Sequence, residues 1–248
     1  MDITQPTVLY EDDAIILIDK PSGLPVHKAV GKEEPTLADW LIIRFPELAE
    51  VGEPQRLGGV TVPRPGIVHR IDRETSGILL LARTQQAFVR LKKQFQRREV
   101  HKTYRAFVYG ALKEERGSIE RPIGRARGSG SRRSVSRPHG MLREALTLFR
   151  TILHSAPGAS EPSSYLEVFP KTGRTHQIRV HLASIGNPVI CDELYAPNRP
   201  AVLNFSRLAL HALSLSFVHP ESGKQVTFEA PLPYDFLHAE KLLREEAE

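Results

Sequence analysis

"HRIDRETSGILLLA", His69 to Ala82, decides how this chain is read. Its second half, GILLLA, is too short and too uniformly apolar for an exposed helix, so a strand buried on both faces is expected there. Ahead of that strand stands one acid between two arginines, Asp72 between Arg70 and Arg73, after a Pro65-Gly66 turn. A side chain at the mouth of a buried strand can project into a cleft. Neighbouring positive charge favours its ionised form, whereas burial alone would disfavour it. Ionised and partly desolvated, such an acid can act as nucleophile, base or metal ligand. It can equally fasten the turn as an ion pair, and these residues alone leave both readings open.

Towards the amino end, "VLYEDDAIILIDKPSGLPVH" predicts two short strands around an Asp-rich turn, then a loop punctuated by Pro21, Gly23 and Pro25. Thr36 suits a helix cap, with Leu37, Trp40, Leu41 and Phe45 at helical spacing behind it. Residues 46–68, rich in Pro and Gly, read as one long loop. Towards the carboxyl end, Thr84 can cap a helix whose Ala87, Phe88, Leu91 and Phe95 face inward while "RLKKQFQRR" leaves a basic outer face. "KTYRAFVYG", "ALTLFRTIL" and "SYLEVF" alternate like strands.

"PKTGRTHQIRVHLASIGNPVICDELY" is the second dense passage. Gly173 permits a tight turn, Thr175 can cap a helix, and Ile178, Leu182 and Ile185 share one face until Gly186 ends it. Arg174 falls just outside the helix start, and Arg179 and His181 further along. A helix amino terminus beside arginines is a natural phosphate seat. Two more strands and an amphipathic helix, "YDFLHAEKLLREEAE", complete the chain. Strands in succession with interspersed helices, rather than regular alternation, indicate an α+β fold.

The 248 residues, 40% hydrophobic and 25% charged, suit one folded domain over 1–248 with an insertion. No basic-then-apolar leader and no bilayer-length apolar run is present, so no membrane association is expected. A single cysteine, Cys191, rules out an internal disulfide framework and argues against a thiolate zinc site. A cytoplasmic setting follows by elimination, and without a coiled coil a monomer is the simplest expectation. Positive charge exceeds negative by five, and from Arg121 to Arg143 seven arginines occur with no acid. This segment, Arg132 and Arg133 included, reads as a flexible arm that attracts phosphate polymers, nucleic acid first among them, though a solvated loop fits the composition too. His69, His101, His176, His181 and His211 are scattered outside any metal-binding frame, so no metal is expected. "GRARGSGSRR" lacks the ending of a nucleotide-binding loop, and Tyr104 in its strand reads as a core tyrosine whose phenol needs a partner.

Taken together, "RPGIVHRIDRETSGILLLA" resembles the central motif of the RluA family of pseudouridine synthases, and "DKPSGLPVH", "KTYRAFVYG", "KTGRTHQIRVHLASIGNPVICDELY" and "RLALHALSLSF" resemble its other blocks in order. Ile71, Cys191 and Ala196 depart from the family pattern, the last two where glycine is common. Many relatives also carry a small amino-terminal RNA-binding domain, which is not expected here because catalytic-type sequence begins by residue 7. The resemblance implies an α+β catalytic fold with a mixed, mostly antiparallel sheet and a central cleft flanked by helices and loops. It further implies conversion of uridine in structured ribosomal or transfer RNA to pseudouridine, with base flipping and without metal or organic cofactor. By motif matching, Asp72 would be the essential acid, Arg179 its pairing arginine and Tyr104 the residue against the target base. Arg70 and Arg174 would serve phosphate contact or base extrusion, and Arg73, His176, Arg132 and Arg133 are further candidate RNA contacts. The alternative is a non-catalytic RNA-binding or RNA-folding protein using the same basic surface. A metal-dependent nuclease would need a ligand cluster that the sequence does not show.

Overall fold

The computed structural model describes residues 5–28, 33–57, 60–126, 132–136 and 138–245. Its contacts group into two compact units, residues 1–101 with 212–230, and 102–211 with 231–248. In the first unit, β1 (Thr7–Glu11) and β2 (Ile15–Lys20) form the expected hairpin. Asp12 closes its turn by accepting the N–H groups of Ala14 and Ile15. Helix α1 (Leu37–Arg44) starts on a full capping box, Thr36 accepting from the Asp39 amide while the Asp39 carboxylate takes the Thr36 N–H.

Residues 46–68 are not one long loop: a 3₁₀ turn (Pro46–Glu50) and an antiparallel pair, β3 (Gln55–Leu57) and β4 (Val60–Val62), lie within them. Strand β5 (Ser76–Ala82) is buried at every position and pairs antiparallel with β2, as its composition requires. Helix α2 (Gln85–Arg97) follows, capped by Thr84, with Ala87, Phe88 and Leu91 buried.

The second unit opens with β6 (His101–Tyr109), β7 (Arg116–Glu120), β8 (Ile123–Ala126), β9 (Arg133–Ser134), β10 (Pro138–Arg143), β11 (Leu146–His154) and β12 (Ser163–Pro170), then α3 (Gln177–Ser184). Strands β6, β12, β11 and β7 make an antiparallel sheet. Over it lies an aromatic core in which the Phe107 and Tyr165 rings stack at 4.2 Å. Where the sequence suggests an arm, the described residues of 121–143 form a small antiparallel sheet in the order β10-β8-β9; residues 127–131 and 137 lie outside the described residues. These strands are two to six residues long and, apart from Ile123 and Gly124, half-buried or exposed, so no apolar alternation marks them.

The chain returns to the first unit through β13 (Leu210–Val218) and its antiparallel partner β14 (Gln225–Glu229), and ends in the second with α4 (Tyr234–Glu245). Antiparallel strand pairs with interspersed helices in each unit make the fold α+β.

Candidate functional site

Asp72 lies half-buried on the loop that enters β5. That loop is fixed from several sides. Lys20, fully buried, donates from Nζ to the carbonyls of Pro21 (2.7 Å), Leu24 (2.9 Å) and Arg73 (3.0 Å), tying the 21–25 loop to the Asp72 loop. A buried ammonium is tolerable only when its hydrogens are satisfied, and this ring of carbonyls does so. The Arg73 guanidinium reaches back to the Gly23 carbonyl (3.0 Å) and forms an ion pair with Glu34 (2.9 Å). His69 accepts the Leu80 amide at Nε2 (2.9 Å) and stacks on Phe95 (4.6 Å), so the motif histidine supports β5. Gly77 completes the frame: its φ is +113°, and a Cβ there would stand 2.2 Å from the Ala212 carbonyl oxygen. Only glycine lets the two backbones approach so closely.

Arg70 is exposed, with Nη1 3.1 Å from His27 Nε2. Burial, reinforced by the charges of Arg70 and Arg64, pushes His27 down to about 3, so its imidazole is neutral near pH 7 and accepts from the guanidinium.

In the second unit, Tyr104 sits on β6 opposite Val168, half-buried against the core. Two residues earlier and on the same face, Lys102 donates to the Thr172 carbonyl (3.4 Å), and burial pushes its amine down to about 8. Helix α3 does not start on Thr175. The residue before it is His176, in the left-handed region at φ 55° and without a side-chain cap bond. Gln177 organises the turn instead, its Oε1 taking the Thr172 hydroxyl (2.6 Å) and the Arg174 amide (3.0 Å). Arg174 donates from Nε to the Glu144 carbonyl (3.0 Å), while His181 is a buried strut between Thr147 and the Arg121 carbonyl.

Arg179 is 5% exposed and grips Asp192 through two parallel bonds of 2.8 Å, Nε to Oδ2 and Nη2 to Oδ1. Asp192 Oδ1 also takes the amides of Leu194 (3.0 Å) and Tyr195 (3.1 Å). Such a fork fixes the plane of a guanidinium, which a single contact would not. The Tyr195 ring then lies under two cations, Arg179 at 5.4 Å and Arg132 at 5.6 Å from its centre. Its hydroxyl accepts the Arg133 amide (2.9 Å) and lies 3.2 Å from His176 Nδ1. Tyr195 thus joins the arginine-rich sheet to α3.

The structure therefore gathers Arg132, Arg133, His176 and Arg179 around Tyr195, while Arg70, Asp72 and Arg73 share one loop region of the other unit. Sequence reasoning missed Asp192 and Tyr195. One signal was available: Asp192 is the first acid after Glu167, so an arginine buried within α3 had few carboxylates to choose from. Cys191, where glycine is usual in the resembled motif, indeed has φ 56° and lends its thiol to the Phe205 carbonyl (3.3 Å). Among the described residues no group of three or more His, Cys, Asp or Glu is placed to hold a metal ion.

The sequence model of a family described as RNA pseudouridylate synthase matches residues 14–184, a span that includes Asp72, Tyr104 and Arg179. A ribosomal large subunit pseudouridine synthase D of Neisseria meningitidis serogroup B is 40% identical over 97% of this chain, and the match spans 62% of that relative's length. Its namesake from Xanthomonas campestris is 39% identical over 97% of this chain and 70% of its own. Among solved structures, human RNA Pseudouridylate Synthase Domain Containing 1 superposes with a TM-score of 0.71 at 25% identity, covering 94% of this chain and 86% of that one.

Proposed function

The chain belongs to the RNA pseudouridylate synthase family, and from that premise we propose that it isomerises uridine within structured RNA to pseudouridine. The bond from ribose C1′ to N1 of the base breaks, the base turns, and C1′ rejoins at C5; the proton leaves C5 and N1 gains one, so the product is an isomer of the substrate. The observation that carries the reading is the family match across 14–184, which encloses a half-buried carboxylate on a loop fastened by Lys20, Arg73 and Gly77. A fixed acid suits a reaction in which one carboxylate must meet one extruded nucleoside.

Asp72 is assigned the role of essential acid and Tyr104 a place against the target base. Arg179 is assigned the orienting cation, its guanidinium plane set by Asp192. Arg70, Arg174, His176, Arg132 and Arg133 are assigned RNA contacts. For Arg73 the engagement with Gly23 and Glu34 supports a loop-fastening role instead. Of the two RNA classes, ribosomal RNA is favoured, since the relatives from Neisseria and Xanthomonas carry ribosomal large subunit names. The protein acts as a cytoplasmic monomer that forms one catalytic domain and uses no metal. The test is tritium release from RNA labelled at C5 of uridine: wild type releases the label and Asp72→Asn does not. RNA binding without release from either RNA class would favour a non-catalytic RNA-binding protein.

A further inference from the structure

Within the second unit, a cavity of about 600 Å³ opens between the β8–β10 sheet and the 173–175 turn, lined among others by Arg125, Arg133, His139, Met141, Arg143 and Arg174. No carboxylate is among its described lining residues, and the whole sequence from Arg121 to Arg143 contains none. Elsewhere in this unit arginines meet acids: Arg105 and Arg150 share Glu167, Arg179 has Asp192, and Arg207 has Asp235. Among the described residues, the side chains of Arg125, Arg133 and Arg143 have no such partner. Unneutralised guanidiniums around one concavity concentrate a positive potential there. A volume of this size falls within the range of ligand-binding clefts.

A second feature narrows the ligand. On β10, between those arginines, Met141 is 79% exposed and Leu142 53% exposed, large apolar side chains held in water on an edge strand. A duplex would offer the groove phosphates and leave these two side chains wet. An unstacked strand offers both chemistries, phosphates for guanidiniums and a base face for apolar side chains. We propose that this groove binds a single-stranded RNA segment flanking the modified uridine, with its phosphates on Arg125, Arg133, Arg143 and Arg174 and a base against Met141. The inference rests on the RNA-isomerase reading and supplies the grip outside the reacting nucleotide.

The test uses the full chain and two labelled probes, a short oligouridylate and an RNA duplex of equal length. Affinity is measured against salt for the wild type, Arg125→Gln/Arg143→Gln and Met141→Ala, with thermal melting as a folding control. For single strands each lost phosphate contact flattens the slope of log affinity against log salt by ~0.7, so the double variant flattens by about 1.4 and loses about sevenfold less affinity between ~50 and ~200 mM salt. Met141→Ala weakens oligouridylate binding several-fold without changing that slope, and leaves duplex binding unaltered. An unchanged slope in the folded double variant overturns the proposal, as does an equal effect of Met141→Ala on both probes. Turnover separates the groove from the reaction: a slope that flattens in a protein that releases no tritium sinks the isomerase reading, and an unchanged slope with normal release sinks only the groove.

Discussion

Replacing Asp192 by Asn probes a buried ion pair that sets the orientation of Arg179. The substitution keeps size and shape but removes a charge that is fully buried beside a nearly buried guanidinium. Each of the two bonds is 2.8 Å and charge-assisted, a class that contributes ~1.5–3 kcal/mol. An amide can keep one acceptor towards Arg179 or towards the Leu194 and Tyr195 amides, but its NH₂ then faces a donor. Breaking one side of a buried pair costs about 3–5 kcal/mol, and the lower end applies here because the remaining oxygen retains part of the network. At ~2–4 °C per kcal/mol for a chain of this size, Tm falls by about 6–12 °C. In the tritium assay at a temperature where the variant is fully folded, kcat drops by at least tenfold, while KM changes much less because the Asp192 side chain is fully buried. A Tm within ~2 °C of wild type together with unchanged kcat would refute the claim that Asp192 holds Arg179 in place.

Gly77→Ala drives a methyl group into the Ala212 carbonyl at 2.2 Å and forces φ +113° on an L-residue, so denaturant unfolding will show a loss of order 3 kcal/mol or no folded protein. Arg73→Gln, which removes an exposed pair with Glu34, lowers stability by under ~1 kcal/mol and leaves the salt slope of RNA binding unchanged, as read by melting and fluorescence titration. His211 is fully buried, and burial followed by the charge of Arg207 pushes it down to about 3. Since the folded pKa lies below the unfolded value of ~6.5, the unfolded chain alone takes up this proton in between, and stability is lost as pH falls from 6.5 towards 3. Its share of the slope is about 1.4 kcal/mol per pH unit. In denaturant titrations at pH 6 and 5, His211→Gln should show a slope shallower by that amount.

Elements whose burial imposes a period were legible from sequence: β2 and β5 as apolar runs, α1 and α2 from Thr36 and Thr84 followed by an inward stripe. The β3–β4 pair has one sequence signal, a Gly-Gly dipeptide ahead of the alternating "VTV", which the Pro- and Gly-rich composition of 46–68 obscures. The β8–β10 sheet was not legible. Its strands bury little, so arginine, glycine and serine occupy positions that hydrophobic patterning would otherwise mark. The motif placed Asp72, Tyr104 and Arg179 as candidates without saying what holds them. Lys20 carries no local sign that it will be buried beneath three carbonyls, and Tyr195 joins residues separated by more than sixty positions in sequence. Such long-range partners depend on tertiary packing, which no local period encodes.

If Asp72 makes this chain an RNA uridine isomerase, C5-tritium release from ribosomal or transfer RNA depends on that carboxylate. Wild type and Asp72→Asn are compared at RNA concentrations that saturate both. The wild type releases the label, the variant does not, and the two bind RNA with equal affinity. Release by Asp72→Asn at the wild-type rate would contradict that role of Asp72.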